Sequence, residues 1–134
     1  MPKLAPMKKG LVILIVDDNM NFVNRMIGML EELSNIGTIN VAENFEEACR
    51  LLADQAPDIA LLDINLPGKN GLALLKKIKQ VLPACEVIMI TNHADEYYRQ
   101  QCRDLGAEHF LDKTIEFSQV PAIISREKFD LTQP

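Results

Sequence analysis

The chain has 134 residues, 48% apolar and 25% charged, and a net charge of −5. That length suits one soluble domain able to bury its own core, and the acidity argues against a nucleic-acid partner, which calls for a clustered basic surface. Three cysteines, Cys49, Cys85 and Cys102, form no CxxC pair. An odd count without such spacing argues against a disulfide framework and for a reducing, cytoplasmic interior, with all three read as small buried apolar residues.

Residues 1–10 carry Pro2, Pro6, Gly10 and three lysines and read as a flexible leader. The apolar run behind them, 11–16, ends at Asp17 and Asp18. It is too short for a secretory signal, and no run approaches the length of a membrane span. Apolar on both faces and rich in β-branched residues, it reads as a buried parallel strand. A helix follows over 20–33, with Phe22, Met26, Met29, Leu30 and Leu33 on one stripe, Asn19 or Asn21 as N-cap and Gly37 as the break. A weaker strand spans 38–42. Asn44 with Glu47 resembles a capping box for a helix carrying Ala48, Leu51 and Leu52, and Pro57 closes that segment.

A third strand covers 59–62, and Pro67, Gly68 and Gly71 mark a loop. The helix over 72–81 turns Leu74, Leu75 and Ile78 inward; its Lys76, Lys77 and Lys79 read as a solvated face rather than a phosphate-binding patch. A fourth strand runs 86–90. A polar helix over 95–105, anchored by Tyr98, Cys102 and Leu105, stops at Gly106. Phe110 and Leu111 lie in a short fifth strand, and a last helix spans 118–128, with Ser118 as its cap and Pro121 in its first turn.

Five strands alternating with five helices imply an α/β, doubly wound parallel sheet with helices on both faces. Ligands in such folds bind beyond the carboxyl ends of the strands. Asp17 and Asp18 stand after the first strand, Asp63 after the third, Thr91 after the fourth and Lys113 after the fifth. Three neighbouring carboxylates repel one another and call for a cation. Hard oxygen donors with room for water and phosphate favour magnesium. A carboxylate can act as the nucleophile that forms an acyl phosphate, Lys113 supplies a mobile cation, and Thr91 offers a hydroxyl to a phosphoryl oxygen. Each residue alone has a plainer account: a helix opening for Asp17–Asp18, a turn for Asp63, a strand-end cap for Thr91, a surface lysine for Lys113. Turn chemistry does not readily put a useful polar group at four separate strand ends.

The segments VDDN (16–19) and LLDINLPGKNG (61–71), Thr91 after VIMI and Lys113 after HFLD resemble the receiver domain of bacterial two-component response regulators over roughly residues 10–128. The resemblance implies a flavodoxin-like strand order, 2-1-3-4-5, and a receiver unit over 11–128 with a tail at 129–134. It implies that Asp63 is the phosphoacceptor, that Asp17, Asp18, Asp63 and the backbone carbonyl of Asn65 hold Mg2+, that Thr91 and Phe110 are the switch pair, and that Lys113 is the active-site lysine. The side chains of Asn65 and His93 occupy positions that tune phosphoryl lifetime. A sensor histidine kinase or phosphotransfer protein would be the donor, and a downstream protein the receiver of the signal, with no membrane partner and no enzymatic activity beyond the chain's own phosphoryl transfer and dephosphorylation. Two versions are open, a stand-alone receiver signalling by protein–protein contact or a receiver cut from a longer regulator; a homodimer on phosphorylation would use the fourth helix, fifth strand and last helix. The family commonly places a proline, in a cis peptide, directly after the lysine. Here that residue is Thr114, so the path of the following loop does not carry over.

Three rivals fit less well. A magnesium-dependent aspartyl phosphatase would want a DxD pair and a cap, a nucleotide or flavin binder a glycine-rich loop after the first strand, and a pseudo-receiver a broken residue set.

Overall fold

The computed structural model describes residues 10–92 and 94–126. Five strands, β1 (Leu11–Val16), β2 (Ile36–Ala42), β3 (Ile59–Leu62), β4 (Glu86–Thr91) and β5 (His109–Asp112), form one parallel sheet in the order β2-β1-β3-β4-β5. The helices between and after them are α1 (Met20–Leu30), α2 (Phe45–Asp54), α3 (Gly71–Val81), α4 (Glu96–Asp104) and α5 (Val120–Arg126).

Because strand side chains alternate, each apolar strand feeds two cores. Ile13, Ile15, Leu61, Ile88, Ile90 and Leu111 pack against Phe22, Val23, Met26 and Leu30 of α1 and Val120, Ile123 and Ile124 of α5. Leu14, Val16, Leu62, Val87 and Met89 pack on the other face against α2, α3 and Cys102 of α4. Burial on both faces is why these strands read as unbroken apolar runs.

Asn19, not Asn21, caps α1, accepting from the Phe22 amide at 3.2 Å. Asn44 accepts from the Glu47 amide at 2.8 Å, while the Glu47 carboxylate accepts from Glu43 rather than from the cap itself. Several expected boundaries move. α1 ends three residues early, and Gly37 lies within β2, where the β1 register skips it. That skip follows from a close approach: Gly10 is left-handed, φ 83°, and a Cβ there would collide with the Gly37 backbone. Ser118 caps nothing, because a 3-10 turn at Phe117–Gln119 precedes α5. Cys85 and Cys102 are buried as expected, but Cys49 is half-buried. α4 keeps a single buried residue, Cys102. The leader 1–9, His93 and residues 127–134 lie outside the described residues.

Candidate phosphoacceptor site

The sheet ladder runs one step past the strands and so places the site. The Asp17 amide donates to the Ala42 carbonyl at 3.0 Å, the Asp63 amide to Val16 at 3.1 Å and the Lys113 amide to Thr91 at 2.9 Å. Backbone pairing, the most regular part of the fold, thus sets the three chemical side chains at neighbouring strand ends.

There the Lys113 ammonium stands between two carboxylates, 2.6 Å from Asp17 Oδ2 and 3.0 Å from Asp63 Oδ2. All three residues, and Thr91 beside them, are buried. The Asp17 contact is an ion pair without good hydrogen-bond direction, since Oδ2 accepts no hydrogen bond. The other oxygen of each acid is held by backbone: Asp17 Oδ1 accepts from the Asn19 amide at 2.9 Å, and Asp63 Oδ1 from the Asn65 amide at 3.2 Å. Burial raises the Asp17 carboxyl above its ordinary range, outweighing the lowering by Lys113. Burial pulls Lys113 down, but its ion pairs with Asp17 and Asp63 overcome it and hold the ammonium above its ordinary value.

Asp18 and Asn65 are exposed at the rim. Among the described residues no three acidic, histidine or cysteine side chains form a ready-made metal cluster. The donor set nevertheless fits a hard cation. It is all oxygen, and it includes a buried carboxylate oxygen that accepts no hydrogen bond. The ammonium now supplies the positive charge between Asp17 and Asp63, so a metal would compete with Lys113 for them.

Three residues around the site were invisible as such in the sequence. Gly71, read there as loop punctuation, opens α3 and donates its amide to Ile64 at 2.7 Å, and a Cβ on it would strike the Asp63 carbonyl. Phe22, read as one residue of an apolar stripe, lays its ring under the Lys113 ammonium, 4.6 Å from Nζ to the ring centre. Arg99 of α4 stacks its guanidinium over the half-buried Phe110 ring at 4.8 Å and donates to the Phe110 carbonyl at 3.3 Å. A glycine amid turn residues could have signalled the first. The other two depend on helix placement and leave no sequence signal.

After Lys113 the peptide to Thr114 is trans, and the loop closes on polar contacts. Asp112 Oδ1 accepts from the amides of Thr114 at 2.8 Å and Ile115 at 3.2 Å, and Glu116 Oε1 accepts from the Asp112 amide at 2.7 Å. An Asx turn thus does the work of shaping this loop.

A sheet of this order with an acid–lysine–acid cluster at its carboxyl edge defines a class of phosphoryl-handling α/β proteins. The family comparison is specific: the model of the response regulator receiver domain matches residues 13–125, and the chain belongs to that family. It is 35% identical over 122 residues to the DNA-binding transcriptional regulator NtrC of Escherichia coli, covering 90% of this chain and 25% of that protein. The receiver domain of NtrX from Brucella abortus is 28% identical with a TM-score of 0.74, over 87% of this chain and 99% of that one. A CheY-like receiver from Methanospirillum hungatei is 25% identical with a TM-score of 0.78, over 86% and 90%. The chain spans about a quarter of the length of the curated relatives it matches. As a receiver domain it is a phosphorylation-dependent signalling switch of a two-component system. Among the described residues no helix is long and apolar enough to cross a membrane.

Proposed function

We propose that Asp63 accepts the phosphoryl group. The observation that carries this is the placement of its carboxylate, buried at the end of β3, on an ammonium shared with a second buried carboxylate, Asp17. A carboxylate oxygen of Asp63 forms the new bond to phosphorus. The phosphorus–nitrogen bond of a phosphohistidine breaks, and its electron pair leaves with the imidazole. A sensor histidine kinase or phosphotransfer protein is the donor, in the cytoplasm. Bound Mg2+, held by Asp17, Asp18, Asp63 and the Asn65 carbonyl, would neutralise charge on the transferred group. Lys113 exchanges part of its pairing with Asp17 and Asp63 for the incoming phosphoryl oxygens. Thr91, buried at the end of β4, turns its hydroxyl toward the same group, and Phe110 moves inward beside it. The chain also catalyses its own dephosphorylation.

The signal leaves through contacts with a downstream protein, or through a homodimer, on the face of α4, β5 and α5. A swing from 1:99 to 99:1 between the two states needs about 5.5 kcal/mol. One hydroxyl bond contributes about 1 kcal/mol, so the metal and Lys113 share the work. The test is phosphoryl uptake from acetyl phosphate and Mg2+, followed by intact mass in the unsubstituted protein and in Asp63→Asn. A magnesium-dependent gain of one phosphoryl group in the former alone is expected. Equal gain in both would assign the acceptor elsewhere, and a protein that neither takes up phosphoryl nor binds Mg2+ would be a receiver with a dead pocket.

A further inference from the structure

We propose that Phe22 is a positioning residue for Lys113, its ring being the fixed seat on which the ammonium rests while the anions around it change. This deepens the Asp63 reading and rests on it.

A lysine ammonium has three protons to donate. One is donated to Asp63 Oδ2, and the ammonium is ion-paired with Asp17 Oδ2. Among the described residues Lys113 has no third polar partner, and Nζ lies 4.6 Å from the centre of the Phe22 ring. Phe22 is itself 7% exposed and Lys113 8%, so the contact is shielded from water, where attraction between a cation and a ring face is strongest. A leucine would fill the same space in the core, but it would turn aliphatic carbon toward a buried donor.

The ring is also fixed to the acids it serves. The Phe22 amide donates to Asn19 Oδ1, and the Asn19 amide donates to Asp17 Oδ1. Asp17, the helix cap and the ring are one local unit, while Lys113 enters from the far end of the chain. Val23 and Met26 of the same helix are fully buried in the core that Phe22 joins. A hydrogen bond is lost when its partner swings away, but attraction to a ring face is tolerant of sideways movement. The ammonium can therefore shift from carboxylate toward phosphoryl oxygen without leaving the ring.

The test uses the full chain with Phe22→Leu and a series in which residue 22 carries one, two or three ring fluorines, which weaken the ring's negative face with little change of shape. In the unsubstituted protein the Lys113 side-chain protons nearest Nζ should show an upfield ring-current shift, both metal-free and with beryllofluoride and Mg2+ bound, and Phe22→Leu should abolish it. Phosphoryl uptake from acetyl phosphate should slow stepwise with fluorine number. The trifluoro and leucine variants should be slower on the order of tenfold, the factor that about 1.4 kcal/mol represents. A normal shift in the unsubstituted protein, or uptake indifferent to fluorination, would overturn the proposal and leave Phe22 as core. Failure of the unsubstituted protein both to take up phosphoryl and to bind Mg2+ would instead overturn the Asp63 reading, and the metal-free ring-current shift would still decide where the ammonium sits.

Discussion

Lys113 and Phe110 stand three residues apart at the end of β5 and are held in opposite ways. Lys113 is buried on the α1 side between two carboxylates and a ring. Phe110 faces α4, half-buried, under an arginine whose further ion pair with Glu96 is long, 3.7 Å, and exposed. α1 carries four buried residues into its core, whereas α4 carries one. The lesson is a division of labour. The groups proposed to react sit on well-packed structure that keeps their geometry, and the aromatic of β5 sits beside a helix with little burial to lose on moving.

The sharpest way to break this contrast is Lys113→Met. Removing the cation leaves two buried carboxylates facing each other, and the metal-free protein should lose about 3 kcal/mol in urea unfolding. Added Mg2+ should recover part of that loss. Titration gives the same ion pairs a second reading. A cation whose folded value is raised contributes stability that is complete below pH 10.5, its ordinary value, and is lost as pH climbs through the folded value. Burial pushes the Cys85 thiol up to about 12 and Cys102 up to about 11, so these add a loss that begins above pH 9.0. Lys113→Met should remove the lysine's share of the loss beyond pH 10.5 and leave the cysteine loss, which runs from pH 9.0 to about 12, as read by thermal unfolding across an alkaline series.

Gly71→Ala tests the rigid side through the backbone. The added methyl must displace the Asp63 carbonyl, and a loss of about 2 kcal/mol is expected, with slower phosphoryl uptake. A normal uptake rate would mean that the acceptor tolerates a shift of its own peptide. Thr114→Pro removes the amide that donates to Asp112. It should cost about 1 kcal/mol in thermal unfolding, and an unchanged stability would show that the Asx turn holds the loop without it. The smallest effect belongs to the loose side. Arg99→Ala should cost about 0.5 kcal/mol yet change the environment of the Phe110 ring, visible in the fluorine spectrum of a 4-fluorophenylalanine placed there. A stability loss as large as that of Lys113→Met would erase the distinction between the two sides.

Much of this was legible in the chain itself. Double-faced apolar runs ending in acid, hydroxyl or lysine specify parallel strands and mark their chemical ends, because a strand buried on both sides has no other composition open to it. Asn19, Asn44 and the polar α4 could be read locally, since caps and amphipathic faces depend on neighbours within one turn. Boundaries drifted where a contact from elsewhere intervened, as with Gly10 against Gly37, or where a 3-10 turn took the place of a Ser118 cap.

Which residues are the candidates for chemistry was therefore a property of sequence: Asp17, Asp18, Asp63, Thr91 and Lys113 stand out by type and by position at strand ends. What holds them was decided by tertiary structure. Lys113 meets Asp63 across 50 residues of chain, and Phe22 and Arg99 reach their partners because α1 and α4 pack on opposite faces of the sheet. Alternation along a strand says that two faces exist. It does not say which helix covers each, and the covering helix determines which ring lies beneath the ammonium and which guanidinium lies over Phe110.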